Sequence, residues 1–381
     1  MDPLINKNHE ILRKEIREFA EKVIAPEAAR LDQEESFSVE LTKKMGQAGL
    51  LGINIPKQYG GRSLDTLSYI IAVEELARVD SSQAATIVAH NSLGLVPILD
   101  YGTRQQKDKY LPQLTTGDHL WAFGLTEENA GSDARGTETT AVREGKHWVI
   151  NGSKRYITNA STPITLGATL QVMTRSGEAQ PKLTTILVEK DTPGFESTRM
   201  LGKMMWRAAD TARIKLKNCR VPLDNILGKE GQGARYMLKT LDGGRLSVAA
   251  MGLGLAQGAF EMAVKHAGKR KQFGKFIGRN QAISFKLADM DMKLELARNT
   301  LYKACWLKDN NQNYSREAAI AKLYTSEIAR EIADEAVQIF GGSGLFKDNA
   351  IERFYRDQRL LQIGEGTSEI LRLVISRGLG I

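Results

Sequence analysis

Cysteine is nearly missing from this chain: Cys219 and Cys305 are the only two among 381 residues. Two thiols cannot build a disulfide framework and are too few for a usual cysteine-rich metal site, so no metal is expected. Long apolar runs are missing too. None reaches the roughly 18 residues of a membrane-spanning helix, and Met1–Glu10 lacks the apolar core of a signal peptide. A cytoplasmic protein without a membrane partner is therefore expected. There is no low-complexity linker, no internal repeat, and no zinc-finger or RNP pattern to accompany the net charge of +8. Lysine and arginine are spread along the chain, densest from Lys265 to Lys275. That suits a solvated surface with one local site for phosphate-bearing ligands. Nucleic acid is not an expected partner; the rival reading, a nucleic-acid-associated protein, predicts DNA binding that weakens steeply with salt.

What is present is ordinary globular material, 42% hydrophobic and 26% charged, long enough for two or three domains. Leu12, Ile16, Phe19 and Val23 recur at helical spacing, which predicts an amphipathic helix over His9–Ala25 with a helix boundary at Pro26. Further helices are predicted at about Val39–Gly49, Ser68–Arg78, Ser81–Tyr101 and Gln105–Leu114. From Leu120 to Val221 the chain is rich in alternating Thr, Val and Ile, punctuated by Asn151-Gly152 and Pro193-Gly194. This predicts a β sandwich or barrel. Helical periodicity returns in Tyr236–Gly268, Gln281–Asp309, Ser315–Phe340 and Thr367–Ser376, enough for a four-helix bundle. The expected fold is multidomain α+β: an N-terminal helical domain at 1–118, a middle antiparallel β domain at 119–228, and a C-terminal four-helix bundle domain at 229–381. Cofactors favour the clefts at such junctions.

Three stretches carry the chemistry. Near the end, Ile363-Gly364-Glu365-Gly366-Thr367-Ser368-Glu369 sets one carboxylate between two glycines. Glycine lets backbone approach a ligand closely, although Gly-Glu-Gly alone is also common turn chemistry. The β domain opens with Phe123-Gly124-Leu125-Thr126-Glu127-Glu128-Asn129-Ala130-Gly131-Ser132-Asp133, whose hydroxyls and amides suit a phosphate or a polar ring edge. In Lys154-Arg155-Tyr156-Ile157-Thr158-Asn159, strand alternation puts Tyr156 and Thr158 on one face, to stack on a flat ring or to pack in a core.

Together these stretches resemble the acyl-CoA dehydrogenase family of flavoproteins. Gly124–Gly136 matches one family signature; Gln338–Asp357 matches the other, including Gly341, Gly342, Gly344, Asp348, Arg353 and Asp357. Length and domain order agree, so the resemblance spans essentially the whole chain. It implies FAD as cofactor and an acyl-CoA thioester as substrate. By this resemblance the flavin ring would lie against Phe123, Leu125, Thr126, Tyr156 and Thr158, with Tyr156 where the family often has Trp. Arg270, Phe273 and Gln281 would meet the FAD diphosphate of a neighbouring subunit, and Gln338, Gly341 and Gly342 would cradle the adenosine half. Thr367 and Glu369 would also touch FAD. Such sharing implies a homotetramer, a dimer of dimers.

Coenzyme A would be held by Ser132, Asp242 and Arg245, with Ser132 also facing the cofactor. Glu365 would take the α-proton, the β-hydride would pass to flavin N5, and an electron-transferring flavoprotein would collect the electrons. Some relatives carry the base at the position of Gly244; Asp242-Gly243-Gly244-Arg245 has no glutamate, so Glu365 is expected to act alone. Gly364 stands where many straight-chain enzymes have Tyr, and with Gly243 and Gly244 nearby it suggests a wide acyl pocket; Gly366 is also expected to touch the substrate. The resulting expectation is a cyclic substrate, cyclohexane- or cyclohex-1-ene-1-carboxyl-CoA, as in the alicyclic branch found in anaerobic bacteria. A short- or branched-chain acyl-CoA dehydrogenase is the alternative, and an oxidase of the same fold a further rival. Ala84, where dicarboxylate enzymes carry Arg, speaks against a glutaryl substrate. Asn91 is expected in the far pocket wall and cannot take a proton, which favours 1,2-elimination.

Overall fold

Residues 4–379, except 176, 178 and 179, are described by the computed structural model. The N-terminal part is helical: α1 (Lys7–Phe19), α2 (Ala25–Glu34), α3 (Val39–Gln47), α4 (Thr66–Ala77), α5 (Ser81–Val88), α6 (Val96–Tyr101) and α7 (Arg104–Leu114). Leu12 and Ile16 are buried as the helical stripe requires. Pro26 does not break the chain of turns; one π-helical turn, Ala20–Ile24, leads into α2, whose first turn holds the proline. The apolar run Ser81–Tyr101 is similarly one continuous helical path, with a π segment at Ala89–Leu95 joining α5 to α6. π segments often mark functional sites.

The middle part is a seven-stranded sheet of β1 (Leu120–Gly124), β2 (Thr140–Glu144), β3 (His147–Thr158), β4 (Thr165–Arg175), β5 (Lys182–Glu189), β6 (Phe195–Arg199) and β7 (Thr211–Pro222). Pairings β2–β3, β3–β7, β4–β5 and β6–β7 are antiparallel. The sheet is nonetheless mixed, because β1 and β2 both run parallel to the same edge of β4. Alternation in sequence reports which face is buried, and it is blind to the direction of the neighbouring strand.

The C-terminal part contains α8 (Gly233–Ala267), the hairpin β8 (Lys271–Gln272) and β9 (Lys275–Phe276), α9 (Gln281–Asp309), α10 (Ser315–Phe340), α11 (Ile351–Asp357) and α12 (Ser368–Arg377). By composition α8 is apolar enough to cross a membrane, yet most of its apolar window is buried, and it is the central helix of this bundle. It packs closely on α4 because a Cβ at Gly254 or Gly258 would overlap the backbone carbonyls of Glu74 and Arg78. A buried ion network ties α1, α4 and α9 together. Glu74 takes Arg298 at 2.9 Å and the Tyr302 hydroxyl at 2.5 Å, while Glu75 takes Arg13 and Arg17, each at 2.9 Å. Arg13 and Arg298 hold the Glu74 carboxyl down at about 2 despite its burial. This fixes the helical domain against the bundle.

Candidate active site

Glu365 lies in the turn between the 3₁₀ segment Gln358–Gln362 and α12. Its backbone is left-handed, φ 51°, an unusual state for a residue with a Cβ and one that often marks function. Gly366 continues the turn at φ 98°, and the Thr367 side chain caps α12 by accepting Ile370 N–H. Helix α10 pins the segment from below. Lys322 Nζ donates to the Gly366 carbonyl at 2.7 Å, Ser326 Oγ to that of Leu361 at 2.9 Å, and Gln362 Nε2 to that of Ser326 at 2.8 Å.

The carboxylate itself is aimed at α8. A Cβ on Gly244 would overlap Glu365 Oε2 and lie 3.0 Å from its Cδ, so any larger residue there must displace the end of the acid. Oε2 is shielded and has no hydrogen-bond partner among the described residues. Burial pushes this carboxyl up to about 7, against the opposing charges of Lys322 and Arg245. An acid poised near neutrality with a free oxygen is what a general base requires. Beside it, buried Arg245 holds Asp242 at 2.5 Å, one turn apart on α8.

In the middle domain, the end of β1 and the following loop present Phe123, Leu125 and Thr126 at partly accessible positions. Tyr156 on β3 is 58% exposed and has φ 61°, at a register shift between β3 and β7. Ile157 is buried and Thr158 partly accessible; the register shift breaks strict alternation, since Lys154, two residues before Tyr156, is buried. Ser132 is exposed in the loop. Beneath this surface is a pair that sequence reading passed over. Lys154, fully buried, meets Glu127 at 2.6 Å and also donates to the Leu125 carbonyl at 3.2 Å. Glu127 in turn accepts the backbone N–H groups of Glu138 at 2.6 Å and Thr139 at 3.1 Å. Burial pulls Lys154 down to about 8. The available signal was a lysine at an inward strand position.

Other expected site residues lie elsewhere. Arg270, Phe273 and Gln281 are exposed around the β8–β9 hairpin, with Phe273 96% exposed at φ 51°. Gln338, Gly341 and Gly342 are exposed at the C-terminal end of α10, where His266 stacks on Phe340 at 4.2 Å and so brings hairpin and turn to one end of the bundle. That end is about 24 Å along α10 from Lys322, whose ammonium holds the Glu365 turn. Thr367 and Glu369 flank Glu365.

Two expectations about the pocket are corrected. Asn91 does not line it: Oδ1 accepts Gly52 N–H and Nδ2 donates to the Leu50 carbonyl, each at 2.8 Å, so this side chain staples a loop. His90 is likewise spent on Leu114 O and Trp121 N. Nor does Gly244 widen the acyl space, because the Glu365 carboxylate fills the room its missing side chain leaves. Gly243 faces Lys308 and Tyr314 instead. At Gly364 a Cβ would meet only Leu360, at ordinary contact distances of 3.5 to 3.7 Å.

The chain matches the family profiles of the acyl-CoA dehydrogenase N-terminal domain over residues 6–118, middle domain over 122–219 and C-terminal domain over 231–380. It is 43% identical over 376 residues to the short-chain specific acyl-CoA dehydrogenase of Clostridium acetobutylicum, covering 99% of each chain. The solved butyryl-CoA dehydrogenase from Megasphaera elsdenii superposes with a TM-score of 0.95 at 39% identity, over 100% of both chains. A chain in the structure describing the electron transferring flavoprotein of Acidaminococcus fermentans superposes at 0.96 with 42% identity, covering 100% of this chain and 99% of that one. The protein belongs to the acyl-CoA dehydrogenase family. It is an oxidoreductase with FAD as its cofactor, as seen in solved relatives. The residues present fit that group: an exposed aromatic ring at Tyr156, and Gly341 and Gly342 with no atom within 4 Å of where a Cβ would stand.

Proposed function

We propose that the chain oxidises short acyl-CoA thioesters to enoyl-CoA with Glu365 as the single base. The observation that carries this is the unpartnered Glu365 Oε2, shielded and directed at α8 in a turn that α10 holds rigid. In its ionised form Glu365 takes the α-proton at Oε2. Arg245 and Asp242, with Ser132 across the cleft, would hold the coenzyme A portion. The α-proton of a thioester is released only if the developing charge on the carbonyl oxygen is stabilised, and the Glu365 N–H in this turn is the donor this chain would supply. Phe123, Leu125, Thr126, Tyr156 and Thr158 would seat the flavin, with Thr367 and Glu369 at its edge. FAD, when bound, accepts the β-hydride.

The relatives are named for short-chain and butyryl substrates, and the geometry of Gly244 removes part of the case for a ring. A short straight or branched acyl group is therefore the preferred reading over cyclohexane- or cyclohexene-carboxyl-CoA. Because Arg270, Phe273, Gln281, Gln338, Gly341 and Gly342 cluster at the end of α10 that lies about 24 Å along the helix from Lys322, they would serve the cofactor of a second copy, in keeping with a tetramer of paired dimers. The electron acceptor is proposed to be an electron-transferring flavoprotein. Anaerobic bleaching of the flavin by a panel of thioesters tests the reading. Butyryl-CoA should bleach rapidly in the wild type and fail in Glu365→Gln; faster bleaching by cyclohexanecarboxyl-CoA would restore the cyclic assignment.

A further inference from the structure

A small cavity lies on the far side of Gly243, lined by Asn54, Thr66, Tyr69, Ser92, Gly243 and Lys308. Its room, about 10 Å³, suits one water-sized group. Ile70, Val96 and Leu246 complete a largely apolar wall, and against it two polar atoms stand without partners. Asn54 Oδ1 and the Tyr69 hydroxyl are shielded and without a hydrogen bond among the described residues; Tyr69 as a whole is 3% exposed. Lys308 Nζ would lie 3.7 Å from a Cβ on Gly243 and sits 5.8 Å over the Tyr314 ring. The adjacent Asp309 makes no close ion pair with it; its oxygens accept Thr66 N–H at 2.9 Å and Leu67 N–H at 3.3 Å to cap α4. Cys305, Asp100 and Asp309 favour the charged amine and desolvation opposes it, leaving Lys308 below its ordinary value.

The cavity adjoins the catalytic carboxylate. Gly243 and Gly244 are consecutive on α8; the first faces Lys308 and the second faces Glu365. Acid and ammonium are thus on the order of 10 Å apart. Tyr69 also feels the Glu365 charge and stands near Ser92 and Ser247. A short acyl group running from Glu365 past Gly244 toward Gly243 would point at this space.

We infer that the cavity receives the far end of the acyl group and selects short thioesters that carry a hydroxyl there over those ending in methyl; this rests on the short-chain reading above. The argument is one of donor and acceptor balance. Lys308 can only donate, Asn54 Oδ1 can only accept, and one hydroxyl answers both. A carboxylate would satisfy Lys308 and set two acceptors against Asn54. A methyl would offer neither group a partner, which is the kind of mismatch that discriminates strongly.

The test measures binding separately from turnover. FAD-loaded Glu365→Gln is titrated with butyryl-CoA, 4-hydroxybutyryl-CoA and succinyl-CoA, following the flavin absorbance, and the titrations are repeated with Lys308→Met added. Binding of the 4-hydroxy compound should be about tenfold tighter than that of butyryl-CoA, a ratio that Lys308→Met should erase. A ratio of one, a ratio that survives Lys308→Met, or tightest binding of succinyl-CoA would overturn the inference. So would equal weakening of all three ligands by Lys308→Met, since Lys308 would then hold the common coenzyme A portion. Bleaching of the wild-type flavin by butyryl-CoA is scored independently. Its failure would sink the dehydrogenase reading while leaving the binding ratios to judge the cavity.

Discussion

Glu365→Gln should stabilise this protein, little at acidic pH and fully from about neutral pH upward. The native carboxyl titrates at about 7, against an ordinary value of 4.5. A raised native value means that the folded state keeps a proton which the unfolded chain has already released. Stability therefore falls as pH climbs from about 4.5 to about 7, and then levels off. The difference corresponds to about 3 kcal/mol of strain from the ionised, desolvated carboxylate. Glutamine mimics the protonated acid in shape and neutrality, so the variant should escape that cost. The assay is thermal unfolding of FAD-saturated protein at fixed concentration, with wild type and variant compared at pH 5 and pH 8. A melting temperature higher by a few degrees at pH 8, with most of the gap closed at pH 5, is expected. The wild-type bleaching rate should rise with pH through the same window, because the base acts ionised. An equal offset at both pH values would refute the reasoning, since the carboxylate would then be solvated in the folded enzyme.

Three further outcomes follow from the same geometry. Gly244→Ala puts a Cβ onto Glu365 Oε2, and the displaced base should slow anaerobic bleaching by about 10²; a rate within twofold of wild type would mean that the turn yields freely. Lys322→Met removes the donor to the Gly366 carbonyl and a charge that lowers the Glu365 value. Stability should drop by about 1–3 kcal/mol, and the midpoint of the pH–rate curve should move to higher pH; a fixed midpoint would exclude the electrostatic link. Lys154→Met strands the buried Glu127 carboxylate, at a cost of about 3–5 kcal/mol. The purified variant should hold less FAD, measured by the ratio of flavin to protein absorbance. Full occupancy would show that the pair does not shape the flavin loop.

Much of the fold was legible because its signals are local. The four bundle helices were bounded within a few residues by their 3.6-residue periodicity, and the helical–β–helical order showed as a change of texture near Leu120 and again near Gly233. Strand direction was not legible: β1 and β2 lie parallel to β4 through long-range pairing that leaves no mark on alternation. In the site, Glu365 stood out through its flanking glycines. Lys322 and Lys154 did not, because a buried charge looks like any surface lysine until its carbonyl or carboxylate partner is placed. Asn91 misled for the opposite reason. It sits on the right helix beside the right pocket, but its amide is consumed by the Leu50–Gly52 backbone. Gly244 was correctly tied to Glu365 through the resemblance, but the idea that it opens acyl space overlooked that the acid itself occupies the gap.

That last contact constrains history as well as chemistry. By the family resemblance, some relatives would carry their base at the position of Gly244, so that the acid has two addresses. Here the two addresses share one volume, and a side chain at 244 overlaps the Glu365 carboxylate. A lineage moving its base from the turn to the helix cannot hold both acids comfortably during the change. Gaining the new one first evicts the old, and losing the old one first leaves none. The step has the character of an exchange rather than an accumulation, which would make base position a sparsely crossed divide between branches of the family.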